Sequence, residues 1–449
     1  MRVHRGPQTS PLLAILLLLA LVTAACQPPE DAPADVAADP DEDDDVAEVE
    51  DEPAEPDDCE IDGVDRIQIG GLGALSGAHA DYGAQMEMGA NMAADEINAE
   101  GGIVGCEVEI RFMDSELNPE VAITNARFLV GEWGAHFLVG IDSSGVALAL
   151  APVMDELERV LIVTHAATEK LNEEEVYEND HRNVFRMSVP VYQDAIVAAL
   201  IVADMPEITR IGNIGADYEY GRTAWEMFQE TLQEYRDDVE FVSEAWAPFL
   251  TTDFSPHVSS VMAADPDMIF ATPWAGEAVA LIRQAQQAGS FQQLEMWWQA
   301  MGASVDVLEA LSDEAEADAF EGKLWGTGRY LFNWPETDEN QAWVEDFREQ
   351  HDRMPNYSAQ TTYTAVMALR DAVEAAGSVD AEDVGAELAG MTINAPAGEI
   401  TIREDDHQAV YPVPAGRIVY DEQWGMACVC ADLQVFDVEE YYREPPFDD

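Results

Sequence analysis

"IQIGGLGALSGAHADYGAQMEMGANMAADEINAEGG", Ile67 to Gly102, opens as a short β-branched run, breaks into glycines and settles into a helical period. A strand, a glycine-bearing turn and a helix stopped at Gly101-Gly102 make the first half of a βαβ unit. "CEVEIRFMD", Cys106 to Asp114, alternates at period two and supplies the second strand. The turn "GLGALSG" approaches the G-x-G-x-x-G fingerprint of dinucleotide sites, with Ser76 in the last glycine's place. That fingerprint needs an acidic ribose ligand about 20 residues on, and a helix that starts at the glycines. Here the second strand ends much farther along, at Asp114, and the helical period resumes only near Tyr82. The turn reads as a strand-end loop bordering a cleft, not as a pyrophosphate cradle.

The same rhythm continues. "NPEVAITNARFLVGEWG" predicts a helix with Pro119 in its first turn, "AHFLVGI" a strand, "SGVALALAPVMDEL" a helix and "VLIVTHA" a strand. A second series begins near Ser188 with "VPVYQDAIVAALIVADM" and "ITRIGNIG". It runs through "YEYGRTAWEMFQETLQEY", "VEFVSEAW", "FSPHVSSVMAADP", "DMIFATP" and "GEAVALIRQAQQAG" to "LEMWWQA". After Lys323 come two helices, then strand-like "EITIRE" and "AGRIVYDE". Alternation of this kind predicts an α/β fold of two doubly wound parallel-sheet lobes, with ligand held beyond the carboxyl ends of the strands.

The chain of 449 residues carries 90 Asp and Glu against 21 Lys and Arg, a formal net charge of −69. Residues 27–62 hold 18 acidic side chains and no Lys or Arg, yet the remainder is strongly acidic too. Such a polyanion repels nucleic acid and anionic membrane surfaces, so neither is an expected partner. Self-repulsion at this density favours a high-salt setting, where counterions screen it.

Arg2, His4 and Arg5 precede an apolar run from Leu12 to Val22, too short for a comfortable bilayer span, and the stretch reads as a signal peptide. It closes in "TAAC", Thr23 to Cys26, which resembles a bacterial lipoprotein box with Cys26 as the lipidated residue, although Thr23 stands where Leu is usual. The Pro-, Ala- and acid-rich stretch 27–62 predicts a disordered tether. The expected location is the outer face of the cytoplasmic membrane, as a periplasmic or cell-surface lipoprotein held only by that anchor.

Catalytic signals are sparse. There is no G-x-S-x-G elbow, H-E-x-x-H pair or Walker loop, and the His residues are scattered. "SSG", Ser143 to Gly145, stands at a strand end before a helix, where free N–H groups suit an anion or amide better than nucleophilic chemistry. Four cysteines remain, which permits three pairings; Cys59 and Cys106 each precede a strand and are the favoured disulfide. "CVC" at Cys428–Cys430 reads as a loop pair, not half of a zinc site, so neither metal nor cofactor is expected.

"GALSGAHADYGAQMEMGANMAADEINAEGGI", "LVGIDSSGVALALAPV", "LIVTHAATEKL", "VFRMSVPVYQDA", "ADYEYGRTAWEMF" and "DFSPHVSSVMAADPDMIFATPWAGEAVALIRQAQQAG" together resemble, in order, the type I periplasmic solute-binding proteins of ABC importers, in the branched-chain amino acid binding family. The resemblance implies two lobes joined by a three-crossing hinge, with crossings near Ser188, Thr327 and Ala397. Lobe I would comprise residues 63–187 and 328–396, and lobe II 188–327 and 397–449. It implies ligand-binding roles for Tyr82, Ser143, Ser144, Ala166, Thr168, Tyr220, Trp274 and Met301. Met301 falls where amino-acid binders of this family carry an acid that pairs with the ligand's ammonium. Either Asp142 takes that role or the ligand lacks the ammonium. The expected function is capture of a branched-chain amino acid, or a related small amide or carboxylate, for a permease and its ATPase, without catalysis. A ligand sensor for a signalling partner and an exported α/β enzyme are the alternatives. The charge imbalance makes a direct prediction: the melting temperature should rise steeply between dilute buffer and multimolar KCl, and a flat profile would remove the high-salt reading.

Overall fold

The computed structural model describes residues 59–443 and 445–447; the expected signal peptide, Cys26 and residues 27–58 of the expected tether lie outside them. In chain order the first part contains β1 (Ile67–Gly73), α1 (Ala80–Ala99), β2 (Val108–Asp114), α2 (Pro119–Phe128), β3 (Phe137–Gly140), α3 (Ser144–Leu157), β4 (Val160–Val163) and β5 (Val184–Arg186). The next comprises α4 (Val191–Ala203), β6 (Arg210–Ala216), α5 (Glu219–Tyr235), β7 (Glu240–Ala247), α6 (Ser255–Met262), β8 (Met268–Ala271) and α7 (Gly276–Gln287). It continues with β9 (Met296–Gln299), α8 (Val305–Ala310), α9 (Ser312–Glu316) and β10 (Leu324–Thr327). Last come α10 (Asp338–His351), α11 (Tyr357–Ala376), α12 (Ala381–Leu388), β11 (Thr392–Ala395), β12 (Gly398–Ile402), β13 (Ala409–Val410), β14 (Val413–Asp421) and β15 (Met426–Phe436).

Two large sheets and a small antiparallel one, β11-β12-β13, carry these elements. The first has the order β2-β1-β3-β4-β5 and is parallel throughout. The second has the order β15-β14-β10-β9-β8-β6-β7; it is parallel from β10 to β7 and closed by the antiparallel β14 and β15. The two expected parallel-sheet lobes are present, and the second carries an added antiparallel hairpin at one edge. Short connections after the hinge can return β14 and β15 only as an antiparallel hairpin, because a parallel step needs a crossover. No helix among the described residues is long and apolar enough to cross a membrane.

The chain passes between the sheets at 187–190, 328–337 and 411–412. The third passage is later than the expected Ala397. "EITIRE" pairs with β11 and β13, and Gln408 bridges to Arg186 beside β5, so residues 397–410 stay with the first sheet. The expected tether is also too long by its last residues. Cys59 is bonded to Cys106, Glu60 N–H donates to the Val104 carbonyl at 3.1 Å, and Ile61 is buried. "CVC" lies inside β15 rather than in a loop, and Cys428 and Cys430 are bonded to each other.

The two lobes share one local device. Gly83 follows Tyr82 in α1, and a Cβ there would stand 2.2 Å from the Ala74 carbonyl oxygen. Gly221 follows Tyr220 in α5, and a Cβ there would stand 2.1 Å from the Ala216 carbonyl oxygen. Each glycine lets its helix sit directly on the end of the preceding strand, which leaves the neighbouring tyrosine at that strand end. Gly83→Val should destabilise the protein by about 1–3 kcal/mol or more through backbone overpacking. A thermal melt reads this, and an unchanged midpoint would show that α1 can retreat from β1 without cost.

Candidate functional site

Parallel pairing puts the carboxyl ends of β1, β3 and β4 side by side, and those of β6 and β8 likewise. Between the two edges lies a cavity of ≈ 430 Å³, within the range of small-ligand sites. One wall is Asp142, Ser143, Ser144 and Gly145 after β3, with His165, Ala166 and Ala167 after β4. The other is Tyr218, Glu219 and Tyr220 at the start of α5, with Phe249, Trp274 and Met301 beyond β7, β8 and β9. Arg329, from the second hinge passage, also lines it.

Ser143 is the N-cap of α3 in extended conformation, and its side chain makes no cap bond. The first N–H groups of α3 have no intrahelical acceptors, and the helix dipole adds partial positive charge there. A carboxylate or carbonyl fits that end. Across the cavity, Trp274 Nε1 donates to the Tyr218 hydroxyl at 2.8 Å, which fixes the indole as an apolar wall. Tyr220 is buried, with its hydroxyl 3.5 Å from Asp194 Oδ2. Met301 reaches the wall at φ +60°, and its buried side chain offers only a thioether.

Two expected residues occupy other positions. Tyr82 is fully buried behind the wall, edge-on to Trp274 and His165 at ring distances of 5.2 and 5.0 Å. Its hydroxyl meets Ser304 Oγ at 2.9 Å and Asp306 Oδ1 at 3.0 Å, at the start of α8 on the opposite lobe. Tyr82 is therefore an interlobe latch, not a face of the cavity. Burial raises the Asp306 carboxyl to about 6 despite the Tyr82 bond. Thr168 lies just beyond the lining stretch; its carbonyl accepts from Arg186, and its buried hydroxyl has no partner. The Ala166 carbonyl accepts from Ser188 Oγ at 3.0 Å.

Other residues of the site carried no signal in the sequence. Arg329 is buried at φ +60°, donating to Asp194 Oδ2 at 3.0 Å and to the His165 carbonyl at 2.9 Å. It thus ties the strand-end loop of the first lobe to α4 of the second. Burial works against its charge, but Asp194 outweighs burial and holds the guanidinium above its ordinary range. His165 is held well below its ordinary value by burial and then by Arg329, so it is neutral, beside the Tyr357 hydroxyl at 2.9 Å. Phe249 stacks on His79 of the other lobe, and Lys170 bridges to Glu219 at 2.6 Å, so the lobes are closed over the cavity. Tyr218 alone was within reach of pattern reading, because "DYEYG" carries a second tyrosine beside the matched one.

The glycine turn of the opening stretch uses its N–H groups on the protein itself. Ala74 N–H donates to Asp142 Oδ2, and Leu75 N–H to Asp114 Oδ1 at 3.0 Å. For Asp114 burial acts upward, but bonds from Ser76, Glu116 and Leu75 prevail and hold the carboxyl below its ordinary value. Among the described residues, the grouping with metal-ligand elements is Asp421, Cys428 and Cys430; its two sulfurs are joined as a disulfide.

With two sheets, three hinge passages and a cavity at the strand ends, the comparison with known families is decisive. Residues 66–423 match the family described as periplasmic binding protein. The chain belongs to that family. It is 27% identical over 380 residues to a Leu/Ile/Val-binding protein of Rhizobium johnstonii, covering 79% of this chain and 94% of that one. It is 25% identical over 340 residues to the leucine-, isoleucine-, valine-, threonine- and alanine-binding protein of Pseudomonas aeruginosa, covering 76% and 86%. Among solved structures, a solute-binding protein of an ABC transporter from Rhodopseudomonas palustris, in complex with 3,4-dihydroxybenzoic acid, aligns with a TM-score of 0.73. The identity is 21%, and 83% of this chain and 98% of that one are covered. An amino acid ABC transporter substrate-binding protein from Pseudomonas fluorescens aligns at 0.71 with 22% identity, covering 83% and 95%. At these identities the structural matches establish the two-lobed fold, and this periplasmic binding protein shares it along nearly its whole described length.

The latch yields a prediction. Tyr82→Phe keeps the ring packing but leaves Asp306 Oδ1 and Ser304 Oγ without their cross-lobe partner. The ligand-free protein should lose about 1–3 kcal/mol in a thermal melt. An unchanged melt would make the latch energetically silent.

Proposed function

We propose that this protein is the solute-binding component of an ABC importer, working outside the cytoplasmic membrane and handing its ligand to a permease and its ATPase. The observation that carries this reading is the cavity between the carboxyl ends of two sheets, walled from both lobes and bordered by a hinge passage. A site built by two moving walls couples ligand capture to closure, and a partner can read closure as a shape. The relatives' names add amino acids with short apolar side chains, and one solved neighbour adds an aromatic acid.

The ligand is a branched-chain amino acid or a related small amide or carboxylate. Ser143, Ser144 and the α3 N-terminus hold its carboxylate or carbonyl end; Tyr220, Trp274 and Met301 pack its apolar part. Tyr82 and Thr168 act from behind the wall. The site binds and releases without covalent chemistry. Export as a lipoprotein on Cys26, an acidic tether and a high-salt habitat complete the proposal.

A thermal-shift screen in high salt, across branched amino acids, short amides, urea and aromatic acids, tests it. A true ligand at 100 times its dissociation constant should add about 2.7 kcal/mol of stability. Trp274→Ala and Ser144→Ala should each weaken a hit about tenfold or more, from lost packing or a lost hydrogen bond. Unaltered affinity in both would place the ligand elsewhere.

A further inference from the structure

The segment after β15 turns back from the second lobe toward the first. Val438 is buried, Glu439–Tyr441 makes a single 3-10 turn, and the next residue, Tyr442, is buried again. The Tyr442 hydroxyl accepts from Gln193 Nε2 at 2.5 Å, on α4 of the second lobe. It donates to the Ala409 carbonyl at 3.2 Å, in β13 of the small sheet that stays with the first. Gln193 stands just after the first hinge passage and Ala409 just before the third. One buried hydroxyl thus pins together two places where the chain changes lobes. The ring is held from both sides as well. The Arg403 guanidinium of the first lobe lies over it at 5.7 Å, and Tyr192 of the second meets it edge-on at 5.7 Å.

Arg443 repeats the bridge. Its Nη1 pairs with Glu173 Oε2 at 3.1 Å, in the helical segment Leu171–Glu178 of the first lobe. Its Nη2 meets Met227 Sδ at 3.6 Å, on α5 of the second. Burial raises the Glu173 carboxyl, and the Arg443 guanidinium acts against it. The same two elements carry the Lys170–Glu219 pair: Lys170 directly precedes the segment, and Glu219 opens α5 and lines the cavity. Arg443 therefore spans the seam whose other tie borders the cavity. Tyr441 anchors the turn to the second lobe, with its hydroxyl 3.1 Å from that of Tyr235 on α5. Phe447 continues the line on the first, edge-on to Tyr177 at 5.3 Å.

Hinge rotation changes the distance between groups on the two lobes. Hydrogen bonds weaken steeply with distance and angle, so bonds that end on both lobes hold over a narrow range of rotation. We propose that residues 438–443 are a strap, a fourth tie between the lobes besides the three hinge passages, which favours the closed arrangement and limits how far the cleft opens. None of the strap's partners lines the cavity, so its action does not depend on which solute the cavity takes. The Tyr442 bonds are buried and persist in high salt, whereas the half-exposed Arg443 pair weakens there.

The test is fluorine NMR of the full chain labelled with fluorotryptophan, in high KCl and without added solute. Trp274 of the second lobe packs against Tyr82 and His79 of the first at ring distances of 5.2 and 4.3 Å, so its resonance reads lobe separation. A Trp274→Phe spectrum assigns it. Tyr442→Phe keeps the ring and loses both hydroxyl bonds; it should raise the open-to-closed ratio about tenfold. Arg443→Gln should raise it about twofold, and truncation after Asp437 should raise it most. Tyr235→Phe removes a strap contact that stays on the second lobe, and it should leave the ratio unchanged. An unchanged Trp274 signal in Tyr442→Phe overturns the proposal. An equal shift in Tyr235→Phe also overturns it, because that marks general loosening and not a bridge between lobes. If the truncated chain does not fold, Tyr442→Phe against Tyr235→Phe decides.

Discussion

Parallel pairing of β1 between β2 and β3, repeated by β6 between β7 and β8, is the constraint on which the cleft depends. A parallel ladder forces every strand to end on the same edge, and every following helix to begin there. The α3 N-terminus, the His165–Ala167 loop, the α5 N-terminus and Trp274 are brought together by that rule before any side chain is chosen. Gly83 and Gly221 then set how closely the helices approach, since a Cβ at either would meet a strand-end carbonyl.

Closure is carried by a different set of groups. The Tyr82 hydroxyl reaches Ser304 and Asp306, Lys170 reaches Glu219, and the Arg329 guanidinium spans the His165 carbonyl and Asp194. The Lys170 pair is half-exposed and weakens as salt rises. The Tyr82 and Arg329 contacts are buried and largely unscreened, so they define the closed geometry in high salt as well. The Arg329 pair is costly to desolvate, and its use is to fix one arrangement of the hinge.

Much of this was legible without coordinates because it rests on local periodicity. The strand-turn-helix of Ile67–Gly102 and the restart near Ser188 follow from period-two and helical spacing of apolar residues, and the strand-end position of Ser143–Gly145 follows from those. Less local features were not. "CVC" sits in β15, where a bulge opposite Ala415–Arg417 disturbs the alternation. The third hinge passage lies beyond β13, because "EITIRE" finds its partners in β11 and β13 and not in the second sheet. Tyr82 moved from cavity wall to latch because its hydroxyl partners, Ser304 and Asp306, are more than 200 residues away in sequence.

The sequence by itself determined an acidic two-lobed α/β chain, the edge on which the cavity lies, and some of the side chains that line it. Each depends on neighbours within a turn or a strand. Only the tertiary structure decided which polar groups are spent on the protein itself. The Ala74 and Leu75 N–H groups of the glycine turn are taken by Asp142 and Asp114. The Ala166 carbonyl is taken by Ser188, and Arg329 by Asp194. Asp142 Oδ1 is left over, because saturation of a buried polar atom depends on every element packed around it, and no stretch of sequence contains them all.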